Sequence, residues 1–160
     1  MEVLLAYYSK TGNTERIAKK IQKIIEPLGK VEMFRIEMTK EYSSGLLHLN
    51  PRITFDCILR RKPEIKATKN MDKYDALVIG SPIWYFTIAP PVNTFIDKLE
   101  KAKGKKAVIF VSSGMGKANF TKSLQNKLLS KGMKIAKAIS VKLDQIDQKT
   151  LQEICDALKS

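Results

Sequence analysis

The stretch Ser9-Lys10-Thr11-Gly12-Asn13-Thr14 governs the architecture of this chain. It follows a continuous apolar run, Val3-Leu4-Leu5-Ala6-Tyr7-Tyr8, as expected of a strand covered on both faces. It precedes Ile17, Ala18, Ile21, Ile24 and Ile25 at helical spacing, with lysines between them, until Pro27 and Gly29 end the segment. A strand, a hydroxyl-rich turn and a helix N-terminus together make a natural anion site, because the first helical N–H groups and the helix dipole face the turn. Ser9, Thr11, Asn13 and Thr14 supply more polar side chains than a cap at Asn13 or Thr14 requires. Gly12 lets the backbone bend closely around a phosphate. The Walker A spacing and the three-glycine dinucleotide fingerprint are both missing.

The same alternation continues along the chain. Val31 to Ile36 predicts a second strand. Residues 39–68 are irregular, with a short helix carrying Ile53, Cys57 and Ile58 that Pro63 ends. Ala76-Leu77-Val78-Ile79-Gly80 predicts a third strand, and Pro90-Pro91 opens a helix with Val92, Phe95, Ile96 and Leu99. Ala107 to Val111 predicts a fourth strand, followed by a helix from about Asn119 to Lys131 that Gly132 caps. Lys134 to Val141 predicts a fifth strand, and Asp147 to Leu158 the last helix. Alternation of this kind implies a parallel sheet with helices on both faces, since parallel neighbours need right-handed crossovers. With 160 residues, and no linker or repeat, a single domain over 1–160 is expected.

In such a sheet, ligands bind beyond the carboxyl ends of the strands. The loop after the third strand, Ser81-Pro82-Ile83-Trp84-Tyr85-Phe86-Thr87-Ile88-Ala89, carries three consecutive aromatics. Their faces suit a flat heterocycle, and equally suit a lid on the core or a contact with a partner protein. The loop after the fourth strand, Ser112-Ser113-Gly114-Met115-Gly116-Lys117, adds a glycine-rich wall. A phosphate cradle, an aromatic platform and this wall describe a pocket for a mononucleotide with a large flat ring.

Composition narrows the class. Hydrophobic residues make up 44% of the chain, enough for a real core. No apolar run reaches a membrane span, and Met1-Glu2-Val3 has no basic leader, so it reads as the start of a strand. Cys57 and Cys155 are too few and too far apart for a disulfide scaffold or a zinc ribbon, which makes a reducing cytoplasm the expected compartment. His48 is the only histidine, so no metal set and no Ser-His-Asp triad is read, and no residue is assigned a catalytic role. The net charge of +13 is concentrated: residues 98–142 hold 12 lysines against Glu100 alone. That block flanks the third loop in sequence; it suits a solvated surface first, and beyond that a field that attracts an acidic partner, an anionic cofactor or nucleic acid. Without interleaved arginines or a recognised motif it does not predict specific nucleic-acid readout.

The quoted residues resemble the flavodoxin family. Ser9 to Thr14 is similar to its phosphate loop, Ser/Thr-x-Thr-Gly-x-Thr. Tyr74 to Tyr85 is similar to its second flavin loop, in the branch where a Pro-x-Trp-aromatic stretch runs into a Pro-led helix. Arg61-Lys62-Pro63-Glu64-Ile65 resembles a stretch ahead of the third strand in that branch. The resemblance implies a flavodoxin-like three-layer sandwich with five parallel strands in order 2-1-3-4-5, FMN as cofactor and electron transfer as the role. The implied FMN contacts are Ser9, Lys10, Thr11, Gly12, Asn13 and Thr14; Ser81, Pro82, Ile83, Trp84, Tyr85, Phe86 and Thr87; and Ser112, Ser113, Gly114, Met115 and Gly116. Two departures stand out. Phe86 occupies or neighbours a position where many members carry glycine, and the chain is basic where familiar electron-transfer flavodoxins are acidic. Expected partners are therefore acidic redox proteins, ferredoxin-like or a reductase. The competing expectation is an FMN-dependent NAD(P)H oxidoreductase acting on a quinone or another small acceptor. A receiver domain shares the strand order but needs an acidic cluster after the first strand, where Tyr7-Tyr8-Ser9 stands.

Overall fold

The computed structural model describes residues 1–43, 49–115 and 120–160. Strand β1 (Glu2–Tyr7) leads into helix α1 (Asn13–Ile25), a 3-10 turn over Glu26–Leu28, and β2 (Lys30–Arg35). Next come α2 (Pro51–Ile58), β3 (Ala76–Trp84), a two-residue β4 (Thr87–Ile88) and α3 (Pro90–Asp97). The chain closes with β5 (Lys106–Ser113), α4 (Lys122–Ser130), β6 (Lys134–Lys142) and α5 (Gln148–Lys159). The sheet order is β2-β1-β3-β5-β6, with all these pairs parallel and β4 antiparallel on β3. This is the expected order 2-1-3-4-5 with a short hairpin strand inserted.

Strand alternation divides the core between the two faces. In β1, Leu4 and Ala6 point to one face with Leu77, Ile79, Ile109 and Val111. There Ile53 and Cys57 of α2, Val92, Phe95 and Ile96 of α3, and Leu124 and Leu128 of α4 cover them. Val3, Leu5 and Tyr7 point to the other face with Val78, Val108 and Phe110, under Ile17, Ile21 and Ile25 of α1 and Ile154 and Leu158 of α5. Each such aliphatic side chain contributes about 1.5–3 kcal/mol of burial. Gly80 sits beside Phe110, and a Cβ there would lie 2.1 Å from the Phe110 ring. Glycine at this position is what lets a phenylalanine fill the centre of the sheet.

One expectation needs correction. The third strand does not end at Gly80. It continues through Ser81, Pro82 and Ile83 to Trp84, pairing Ser81 with Val111 and Pro82 with Ser112, then folds back as a hairpin. Ser81 is not a free loop hydroxyl. It is fully buried, its Oγ accepts from the Ala89 N–H at 3.0 Å, and it donates to the Pro82 carbonyl at 2.9 Å. Neither Thr14 nor Asn13 is the cap of α1. Gly12 holds that position in a left-handed conformation, φ +88°.

Candidate flavin site

All three sequence-predicted loops lie at the carboxyl edge of the sheet, as the parallel register requires. The first begins at Ser9, which is buried and accepts from the Gly12 N–H at 3.1 Å. That bond folds the turn and brings Gly12 over into its left-handed conformation. No side chain caps α1, whereas Asn50 caps α2 and Asp147 caps α5. The first-turn N–H groups of a 13-residue helix are thus left without a side-chain acceptor, facing a glycine turn. This donor set fits a phosphate. Thr11 is exposed beside it, while Thr14 is buried with its hydroxyl 3.4 Å from that of Ser112.

Cations surround the turn. Arg16 bonds the Asn13 side chain and pairs through Nε with Asp144 at 2.5 Å. A Cβ on Gly12 would come within 3.0 Å of the Arg16 guanidinium. Arg35 donates to the Ser9 carbonyl at 3.1 Å and pairs with Glu15 at 3.2 Å. Lys10 reaches away to the Ser43 carbonyl at 2.8 Å. Sequence reasoning missed Arg16, Arg35 and Asp144. For Arg16 the available signal is its place one helical turn after Gly12; for Asp144, 128 residues further on, there is none.

The second loop is a tight hairpin. Trp84 pairs with Thr87 and Ile83 with Ile88, leaving Tyr85 and Phe86 as the turn. Their φ angles are +47° and +61°, so both central residues are left-handed, as a type I′ turn demands. The aromatic platform is therefore split. Trp84 is 6% exposed and joins the core, edge-on to Tyr8 at 5.6 Å and to Tyr42 at 5.8 Å between ring centres. Tyr85 and Phe86 face outward, Phe86 at 73% exposure. Thr54 of α2 donates to the Tyr85 hydroxyl at 2.9 Å and ties the turn to that helix.

The phenols beneath the hairpin are locked. Tyr42 donates to the buried Asp56 at 2.9 Å and Tyr8 to Glu41 at 3.3 Å. Burial first, then the neighbouring carboxylate, pushes both hydroxyls well above their ordinary pKa. They remain neutral donors at any physiological pH.

In the third loop, Ser112 and Ser113 are buried at the end of β5. Gly114 and Met115 form the turn, with Met115 exposed. Gly116 and His48 lie outside the described residues. Among the described residues no group of His, Cys, Asp or Glu side chains is arranged to hold a metal, and no helix is long and apolar enough to cross a membrane.

A doubly wound parallel sheet in this order, with a phosphate-type cradle after β1 and two further loops at the same edge, defines a flavodoxin-like protein. The family model described as flavodoxin matches residues 2–155, and the chain belongs to that family. No curated protein matches the sequence. Among solved structures, one assigned as a flavoprotein from Bacteroides eggerthii is 27% identical, with 99% of this chain and 98% of that chain covered and a TM-score of 0.79. A flavoprotein from Lactobacillus acidophilus, solved in complex with FMN, is 25% identical over 89% of this chain and 93% of that one, with a TM-score of 0.70. The two-electron reduced flavodoxin of Megasphaera elsdenii shares the fold at 21% identity, covering 99% of both chains with a TM-score of 0.64.

Proposed function

We propose that this protein binds FMN across its three carboxyl-edge loops and passes electrons between redox partners. The observation that carries the reading is the uncapped first turn of α1, closed over by the Ser9–Gly12 turn and joined to the third loop through Thr14 and Ser112. The first-turn N–H groups and Thr11 hold the phosphate, with Arg16 and Arg35 supplying positive charge nearby. Tyr85, Phe86 and the Gly114–Met115 turn flank the ring, and Trp84 props the hairpin from below. Bound FMN supplies reversible one- or two-electron redox chemistry. The partners in this reading are acidic redox proteins, and the compartment is the cytoplasm.

The test is reconstitution. Apoprotein titrated with FMN should acquire a protein-perturbed flavin spectrum at one flavin per chain, and riboflavin should bind more weakly. Equal affinity for FMN and riboflavin would remove the phosphate cradle from the reading.

A second reading is an FMN-dependent NAD(P)H oxidoreductase acting on a quinone or similar acceptor. It is favoured by a cleft of about 520 Å³ that shares Tyr85, Phe86 and Thr87 with the hairpin. Rapid flavin reduction by NAD(P)H alone would select it; reduction only through a protein reductase would select the carrier.

A further inference from the structure

Behind the hairpin, α2, α3 and α4 enclose that cleft of about 520 Å³, within the size range of small-molecule sites. Three cations line it: Arg60, Lys62 and Lys127. Among the described residues only one carboxylate answers them, since Lys62 and Lys127 share Asp97 at 2.8 and 3.6 Å. Burial alone would raise the Asp97 carboxyl, but hydrogen bonding to Lys62 and the charge of Lys127 outweigh it and hold the group below its usual value. Asp97 is thus an anion already committed. Among the described residues Arg60 has no ion-pair partner.

Two more features belong to this cleft. Tyr85 and Phe86 form an aromatic wall. Asn93 of α3 also lines it, and its Oδ1 is shielded from solvent with no hydrogen-bond partner among the described residues. A buried acceptor left unsatisfied is unfavourable unless something donates to it. Excess positive charge, an aromatic wall and an orphan acceptor ask for one kind of occupant.

We propose that this cleft binds a small planar organic anion carrying a hydroxyl group. The acid group pairs with Arg60 and Lys127, the ring lies against Phe86, and the Asn93 side chain turns its shielded Oδ1 into the cleft to accept from the hydroxyl. The site does not depend on the flavin. Its adjacency to the flavin, through the shared Tyr85–Phe86 turn, rests on the function proposed above.

The test uses 6-hydroxy-2-naphthoate as probe, followed by its own fluorescence, against apoprotein and FMN-saturated protein. Its 6-methoxy derivative lacks the donor, and its amide lacks the charge. The expected result is saturable binding to both forms, at least tenfold weaker for the amide and at least threefold weaker for the methoxy derivative. The double variant Arg60→Gln/Lys127→Gln should weaken the probe at least tenfold while leaving FMN affinity and thermal stability unchanged. In the FMN-saturated protein, probe binding should also shift the flavin absorption band. No binding at millimolar probe, affinity indifferent to charge, or mutual displacement with FMN would each overturn the proposal. Probe binding with the expected selectivity in a protein that takes up no FMN would support the cleft and count against the flavin reading alone.

Discussion

The hydroxyls of Thr14 and Ser112 lie 3.4 Å apart, buried, joining the first turn of α1 to the last turn of strand before the third loop. The two residues are 98 positions apart in sequence. This contact ties the first turn of α1 to the end of β5.

Replacing Thr11 and Thr14 together by alanine removes one exposed donor and one loop-to-loop bond. Hydrogen bonds to charged groups are worth about 1.5–3 kcal/mol each. FMN affinity should fall at least tenfold, with riboflavin affinity barely changed. Titration of apoprotein with each flavin checks this, and a parallel loss for both would place the threonines in ring binding instead.

The hairpin turn holds two bulky residues in the left-handed region, which costs a non-glycine residue about 1–2 kcal/mol. Comparing Phe86→Gly with Phe86→Ala isolates this term, because both lose the ring and its contact with Phe120. The glycine variant should be the more stable by about 1 kcal/mol, or roughly 2–4 °C in melting temperature. An alanine variant that melts at or above the glycine one would place Phe86 outside the left-handed region.

Trp84 stands in the core against Tyr8 and Tyr42. Trp84→Ala should therefore destabilise the fold by about 3–5 kcal/mol, read as a lower urea midpoint. Its fluorescence should be poorly accessible to acrylamide in apoprotein. An unchanged urea midpoint would mean that the indole is carried on the surface, free to stack on a ligand.

What was legible in the sequence is what local physics fixes. The continuous apolar run from Val3 to Tyr8 identifies a strand buried on both faces, and the spacing of Ile17 and Ile21 identifies a helix, without any partner. The Ser9–Thr14 turn carries its own donors. The hairpin was not legible, because Pro82 argues against a strand interior and Tyr85-Phe86 lacks the Gly or Asn that signals a type I′ turn. Arg16–Asp144 and the Arg60–Lys127–Asn93 cleft are made by segments far apart in the chain, so no spacing encodes them.

Glu32, on the edge strand β2, bonds Lys69 at 2.6 Å and Lys73 at 2.9 Å, pinning the connection between α2 and β3 to the sheet. Hydrogen bonding to Lys69, then to its other neighbours, lowers its carboxyl to about 2. A depressed folded pKa contributes stability above the unfolded value near 4.5, and that stability is lost as pH falls through the folded value. Solvent screening limits it to roughly 1 kcal/mol. Glu32→Gln should be less stable than the parent protein at pH 7, and the gap should close between pH 4.5 and 2. A gap independent of pH would assign the effect to packing.

The lysine block divides in space, and this changes what it can do. Lys106 and Lys134 begin β5 and β6, and Lys98, Lys101, Lys103, Lys105 and Lys131 cluster around those starts. They sit at the amino edge of the sheet, a β5 length of about 25 Å from the flavin loops at ~3.3 Å per residue. Exposed charges are screened beyond about 8–10 Å at physiological salt, so this pole contributes little at the flavin edge, contrary to what contiguity in sequence suggests. At the carboxyl edge the block places Lys122, opening α4, and Lys142, ending β6, and Lys10 of the first loop joins them there. Electron transfer with an acidic partner should slow as salt rises. Reversing Lys10, Lys122 and Lys142 to glutamate should lower the low-salt rate at least fivefold and flatten its salt dependence, since steering acts where the partner docks. Reversing Lys101, Lys103 and Lys105 should change it less than twofold. Stopped-flow rates at two ionic strengths for the two triple variants decide the matter; a larger effect from the amino-edge triple would mean that partners dock at the pole remote from the flavin.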